Sequence, residues 1–257
     1  MRSWLAVLVL ASACAFTPGG PSDEGVPPHS GGGGGGGGSA GPTHQPCELS
    51  DPALELCLDF DSAAELGFDS SPGEHDATLS NVVPMTRDGA DPAAQFSELS
   101  TATIPEDPGI DVTADGLFSI ELWAQPTQLP QPQTPPFQVI AHDQYAVTIY
   151  RDGTVECAIG DFYADSKSAI ATGPWTHVGC TFDGNTVAVY LDGSVAGCYT
   201  LAGPWSTPPA RLDGIVVGQP QVGGIDNVHV LARTLSADEM CALAGQTHCN
   251  TACADGS

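Results

Sequence analysis

The chain has 257 residues and carries six Lys+Arg against 31 Asp+Glu, a formal net charge of −25 at pH 7. That balance repels a phosphate backbone and an anionic lipid surface, so nucleic-acid binding and electrostatic membrane binding are excluded. With 41% hydrophobic residues the chain can bury a core, while 31 glycines, 22 prolines and nine cysteines favour a turn-rich, disulfide-bearing fold from an oxidising compartment.

The first segment has the form of a secretory signal. Arg2 supplies the positive charge and Trp4 to Ala11 the apolar stretch, which is shorter than the ~20 residues that span a bilayer. Two processing readings follow. Ala11-Ser12-Ala13 suits signal peptidase and a free soluble product. The same small residues before Cys14 resemble the lipobox of bacterial lipoproteins, with Cys14 as the lipidated N-terminus. Parity supports the second reading, because removing Cys14 leaves an even set at 47, 57, 157, 180, 198, 241, 249 and 253. Residues 15–46 are mostly Pro, Gly and Ser, including an unbroken glycine run from Gly31 to Gly38. Such a stretch buries nothing and is expected to be a tether reaching roughly 30 Å. The expected organisation is a signal peptide over 1–13, a lipid-anchored linker over 14–46, and one domain over 47–257.

Within that domain the pattern predicts strands throughout. They are expected at Leu54–Phe60, Ala94–Phe96, Ala102–Ile104, Leu117–Ala124, Val139–Ala141 and Ala146–Tyr150. Further strands are expected at Thr154–Ile159, Thr176–Phe182, Thr186–Leu191, Ser194–Tyr199, Ile215–Val217 and Ile225–Leu231. Asp152-Gly153, Asp183-Gly184-Asn185 and Asp192-Gly193 predict tight hairpins between consecutive strands, hence an antiparallel sandwich or barrel. One helix is predicted after Ser236, where Ser236-Ala237-Asp238-Glu239 forms a capping box and Gly245 can end the helix.

These residues resemble laminin-G-like, concanavalin A-like jelly rolls. Phe118-Ser119-Ile120-Glu121-Leu122-Trp123-Ala124-Gln125-Pro126 is similar to the Trp-bearing strand of that family. Trp175-Thr176-His177-Val178 through Asp183-Gly184 is similar to its "W-x-H-V" hairpin, and Tyr190-Leu191-Asp192-Gly193 to the "Y-V-D-G" that follows. Ile225-Asp226-Asn227-Val228 resembles "I-D-E-V", with Asn227 in place of the usual acid. Arg233-Thr234-Leu235-Ser236 resembles the closing "R-A-L-S". Leu58-Asp59-Phe60-Asp61 and Asp69-Ser70-Ser71 resemble the opening "F-D" and "D-S-S-G". The match runs from about Leu54 to Ala244. It implies an all-β, two-sheet antiparallel jelly roll with one short C-terminal helix.

The resemblance brings three functional expectations. Some relatives are glucanases, which place two carboxylates about 5 Å apart on one strand face. Leu117–Ala124 carries only Glu121, and no nucleophile elbow or His-Glu-x-x-His occurs, so catalysis is not expected and glycoside hydrolysis is the third reading. Relatives often hold structural calcium between first and last strands. Calcium needs six to eight oxygens, and Asp226 and Asp61, with Asp59 behind them, are the matching candidates. Sugar sites on such folds use exposed aromatics, and Phe162 and Tyr163, in an expected loop, and Trp205 could stack on a pyranose. Trp123, Trp175, His177 and His229 are expected to be structural.

Zinc at Cys241, His248, Cys249 and Cys253 is disfavoured against disulfides in an exported chain. Cys157 and Cys180 are expected to pair as mid-strand residues on neighbouring strands, and Cys47 with Cys57 to pin the chain entry to the first strand. Cys198, Cys241, Cys249 and Cys253 stay unassigned. The function expected is non-catalytic binding at the cell surface by a monomeric lipoprotein. A glycan is the leading ligand, and an envelope or extracellular protein is the alternative partner.

Overall fold

The computed structural model describes Cys47 and residues 51–61, 66–87, 89, 91–206, 214–220 and 222–253. The signal, Cys14 and the tether lie outside the described residues. Fifteen strands are present among the described residues. The first seven are β1 (Leu54–Leu58), β2 (Thr78–Ser80), β3 (Val83–Arg87), β4 (Asp91–Phe96), β5 (Thr101–Thr103), β6 (Leu117–Pro126) and β7 (Phe137–His142). Next come β8 (Tyr145–Ile149), β9 (Val155–Ile159), β10 (Phe162–Asp165), β11 (Thr176–Asp183) and β12 (Thr186–Leu191). The last are β13 (Ser194–Thr200), β14 (Val216–Gln219) and β15 (Gly223–Leu231), followed by helix α1 (Ala237–Leu243).

They form two antiparallel sheets. One has eight strands in the order β13-β12-β11-β6-β15-β4-β3, with β1 also paired to β15; the other has seven, β10-β9-β8-β7-β14-β5-β2. This is the jelly-roll sandwich expected from the sequence. The turns behave as their residues demand. Asp192 and Gly193 both take positive φ, 47° and 76°, the pair of left-handed positions that a two-residue hairpin with the right twist requires. The helix is capped as expected: Ser236 accepts from the Glu239 N–H, and Glu239 accepts from the Ser236 N–H.

Three strands escaped the sequence pattern. β2 is only three residues long, β3 contains Pro84, and β10 was expected to be a loop. All three lie at sheet edges, where a missing N–H or a short run is tolerated.

Alternation sends Phe118, Ile120, Leu122 and Ala124 of β6 into the core between the sheets, where they meet Tyr145, Val147, Ile149, Val155 and Ile159 of the facing sheet. Cys157 and Cys180 belong to the same core and are bonded, with Cα atoms 5.5 Å apart. They are not on neighbouring strands, as the sequence suggested: β9 and β11 belong to different sheets, so this disulfide staples the sandwich through its centre. Cys47–Cys57, Cys198–Cys253 and Cys241–Cys249 are the other bridges. The last two use three of the four residues weighed as zinc ligands, which removes that reading.

Candidate functional site

The outer faces of the two sheets differ. The centre of the eight-stranded sheet is covered on both sides: β11 is buried at every position except its last, and β15 at every position, while the edge strands β3 and β13 are partly exposed. Its outer face carries a second apolar cluster of Leu54, Cys57, Ala188, Tyr190, Leu231, Leu235 and Met240. Met240 of α1 sits so close over Gly179 that a Cβ there would meet its sulfur at 2.7 Å.

Polar residues fill the rest of that covered face. Glu121, 2% exposed, points outward from β6. His177 Nε2 lies 2.9 Å from its Oε2, and His229 Nδ1 bonds its Oε1. Burial works against the Glu121 carboxylate, but the His229 charge and hydrogen bonds from both imidazoles outweigh it and hold the carboxyl down at about 2. Burial likewise opposes His229 protonation, and the Glu121 charge overcomes it, so the His229 pKa is raised. Glu121, the one carboxylate of the central strand, is thus locked in a structural pair.

The seven-stranded sheet is open. β9 alternates buried and half-buried residues, and β5 and β2 expose theirs. Strand register builds two rows across this open face. One runs Tyr163, Ala158, Ala146, Ala141, Val216, Thr103, Thr78. The adjacent row runs Asp165, Glu156, Thr148, Gln138, Gln219. The first row is a floor of small side chains ending in Tyr163, which is 54% exposed. The second offers two carboxylates and two amides. Tyr150 donates to Glu156 Oε2 at 2.9 Å. Burial, then this bond, pushes the Tyr150 hydroxyl up to about 12. Burial also raises the Glu156 carboxyl; the Tyr150 bond opposes the rise and Asp165 adds to it. Six inter-strand gaps make the face about 29 Å wide.

The residues expected to bind ligand separate. Tyr163 lies on the open face. Phe162, its neighbour in β10, points to the core side, stacks on Tyr199 at 6.1 Å and tilts against Trp205 at 6.3 Å. Trp205 lies edge-on to Phe182 at 4.6 Å. Phe162 and Trp205 therefore close one end of the sandwich. Sequence reasoning missed Glu156, Tyr150 and the small-residue floor. Their signal was the alternation of β8 and β9 with alanine or threonine on the outer positions.

The aspartates expected to hold calcium have partners within the protein. Asp59 Oδ1 accepts from the Asp61 N–H and Asp59 Oδ2 from the Ser70 hydroxyl, both at 3.3 Å. Asp226 is fully buried, and its Oδ2 faces Arg87 Nη1 at 3.2 Å. Burial pushes the Asp226 carboxyl up to about 8; Arg87 opposes this, and Asp91 and Asp61 add to it. Calcium needs six to eight oxygens around one point, whereas the group facing Asp226 is a guanidinium. Among the described residues, metal-ligating atoms converge in threes elsewhere: Cys47, Cys57 and His229, and Glu106, Asp111 and His142. The first pair of cysteines is disulfide-bonded. In the second group the His142 Nδ1 lies 3.4 Å from the Gln144 N–H, and its Nε2 lies 3.2 Å from Glu106 Oε2. Asp69, in the "D-S-S" motif, is structural: it accepts from the backbone N–H groups of Cys57, Ser71 and His75.

Comparison with known proteins agrees with this architecture. The family model Laminin_G_3, described as the concanavalin A-like lectin/glucanases superfamily, matches residues 97–241. No curated protein matches the chain in sequence. Domain 4 of AbnA, a GH43 extracellular arabinanase from Geobacillus stearothermophilus solved with arabinotriose, superposes with a TM-score of 0.58 at 21% identity, covering 74% of this chain and 98% of that one. The binding domain of Paraclostridial Mosquitocidal Protein 1 gives 0.60 at 13% identity, over 75% of this chain and 52% of that one. A botulinum neurotoxin type C structure, whose cell entry depends on two ganglioside molecules, gives 0.55 at 12%, over 75% and 50%. The chain thus spans about half the length of the two toxin structures. At these identities the likeness is one of fold, and the family match over more than half of the chain gives the conclusion that this protein belongs to the concanavalin A-like lectin/glucanases superfamily.

Proposed function

We propose that this protein is a non-catalytic glycan-binding module that works outside the cell. One observation carries the reading. The seven-stranded sheet keeps an open outer face, and that face combines a small-residue floor, a row of hydrogen-bonding side chains and an exposed tyrosine. Sugars need this combination: an aromatic face for their C–H groups and carboxylates or amides for their hydroxyls. The arabinotriose-bound domain and the ganglioside-dependent toxin share the fold and lend support by analogy only.

A glycan screen of the full chain tests it, with Tyr163→Ala beside the wild type. Loss of the tyrosine is expected to weaken binding at least tenfold, about 1.4 kcal/mol. No binding to any glycan, or equal binding by the variant, would remove the reading and leave a protein partner as the alternative.

A second reading rests on Glu156 and Asp165, which lie directly opposite each other on the open face. Two carboxylates so placed are the starting point for glycoside hydrolysis. The Tyr150 bond to Glu156 and the exposure of Asp165 at the sheet edge favour binding over catalysis. Release of reducing ends from a bound glycan, abolished by Glu156→Gln, would reverse that preference.

We also propose that residues 1–13 are cleaved and that Cys14 carries a lipid, tethering a monomeric domain at the surface through residues 14–46. Four disulfides fit an exported chain. Cys14→Ala is expected to move the protein from the membrane to the soluble fraction, and an unchanged distribution would exclude the anchor.

A further inference from the structure

The chain has six basic Lys+Arg residues against 31 acidic ones, yet it buries one of the six completely. Arg87, at the end of edge strand β3, is 2% exposed. Its Nη2 bonds Asp91 Oδ2 at 2.6 Å and its Nη1 faces Asp226 Oδ2 at 3.2 Å. The second contact has the distance of an ion pair without the alignment of a hydrogen bond. The guanidinium lies over the Trp123 ring at 4.7 Å, with the Trp175 ring 6.0 Å away. Trp175 can lie down on the sheet because Gly224 has no side chain; a Cβ there would meet the indole at 2.4 Å.

We infer that Arg87 is a built-in cation that replaces calcium at this seam between β3, β4 and β15. The chemistry of the surroundings discriminates between the two. A guanidinium is planar, weakly hydrated and stacks on indole faces while its fork serves two carboxylates. Calcium takes oxygens on all sides, and indole faces supply none. Arg87 thus bonds the Asp91 carboxylate and faces the buried Asp226 carboxyl, so a side chain of the protein itself occupies the seam.

Thermal melts of the full chain in calcium and in chelator test this, using wild type, Arg87→Lys and Arg87→Gln. The wild type is expected to melt at the same temperature in both. Arg87→Lys keeps the charge but cannot fork between two carboxylates, and is expected to melt a few degrees lower, still indifferent to calcium. Arg87→Gln is expected to melt about 10 °C lower in both conditions. A wild type destabilised by chelator would overturn the inference, and so would an Arg87→Gln protein that melts like the wild type. Should Arg87→Gln not fold, the wild-type and Arg87→Lys melts decide alone: indifference of both to calcium supports the inference, and a dependence in either overturns it. The readout is stability, so it stands or falls separately from glycan binding.

Discussion

Replacing Cys157 and Cys180 together by alanine is expected to lower stability by about 3 kcal/mol and the melting temperature by roughly 10 °C. The bridge spans 23 residues of sequence separation, and closing a loop of that order removes about 3 kcal/mol of unfolded-state entropy. Both sulfurs are also fully buried in the main core, so truncation leaves unfilled space whose cost adds to the loop effect. The position matters as much as the loop. β9 and β11 lie in different sheets, and this is the bridge that crosses the core between them. Cys157 stands next to Glu156, which faces the other way on the open surface. The double variant should therefore also weaken the proposed glycan binding, through a less rigid β9. A variant melting within 2 °C of wild type would show that hydrophobic packing alone holds the sheets.

The second large effect concerns pH. Stability is expected to peak between about pH 3.8 and 4.5, and to decline on both sides. Glu121 is held down at about 2 from an ordinary 4.5, so its contribution is complete above 4.5 and is lost as pH falls toward 2. His229 is raised above 6.5, so its contribution is complete below 6.5 and is lost as pH rises through its folded value. Asp226, raised by burial to about 8 from 3.8, costs stability as pH climbs between those values, because only the unfolded chain ionises freely there. The two alkaline-side effects have the same sign, and a net charge of −25 adds repulsion in the same direction. Denaturant melts from pH 3 to 9 would show the dome. Glu121→Gln should cost about 3 kcal/mol at pH 6 and flatten the part of the alkaline slope owed to His229. A stability that rises steadily from pH 6 to 8 would refute this account.

How much of this was legible before the structure depends on the range of the interaction. The Asp-Gly turns, the capping box at Ser236 and the alternation of β6 and β12 are local. Their chemistry acts within a few residues, and each appeared where the pattern placed it. The ordered motifs from Leu58 to Ser236 were enough to point to the family. Tyr163 was singled out correctly as exposed, though as part of a loop. Its partners in β8 and β9 were not found, because alanines and threonines on a strand look the same whether they face solvent or a neighbour.

What remained was decided only by tertiary structure. Alternation says that a strand has two faces, but not which face is covered. β6 carries Ser119, Glu121 and Trp123 on the face opposite the core, and only α1, β1 and the two imidazoles determine that this face is buried. Parity says that eight cysteines can pair, but not that residues 157 and 180 meet across two sheets. Composition counts six Lys+Arg and leaves them in solvent by default. The burial of Arg87 between two indoles and two carboxylates follows from strand order, β3 beside β4 beside β15. The physical reason is common to all three. Local rules act along the chain, whereas coverage, cross-sheet bonding and ion pairing depend on which distant segments the fold brings within a few ångströms.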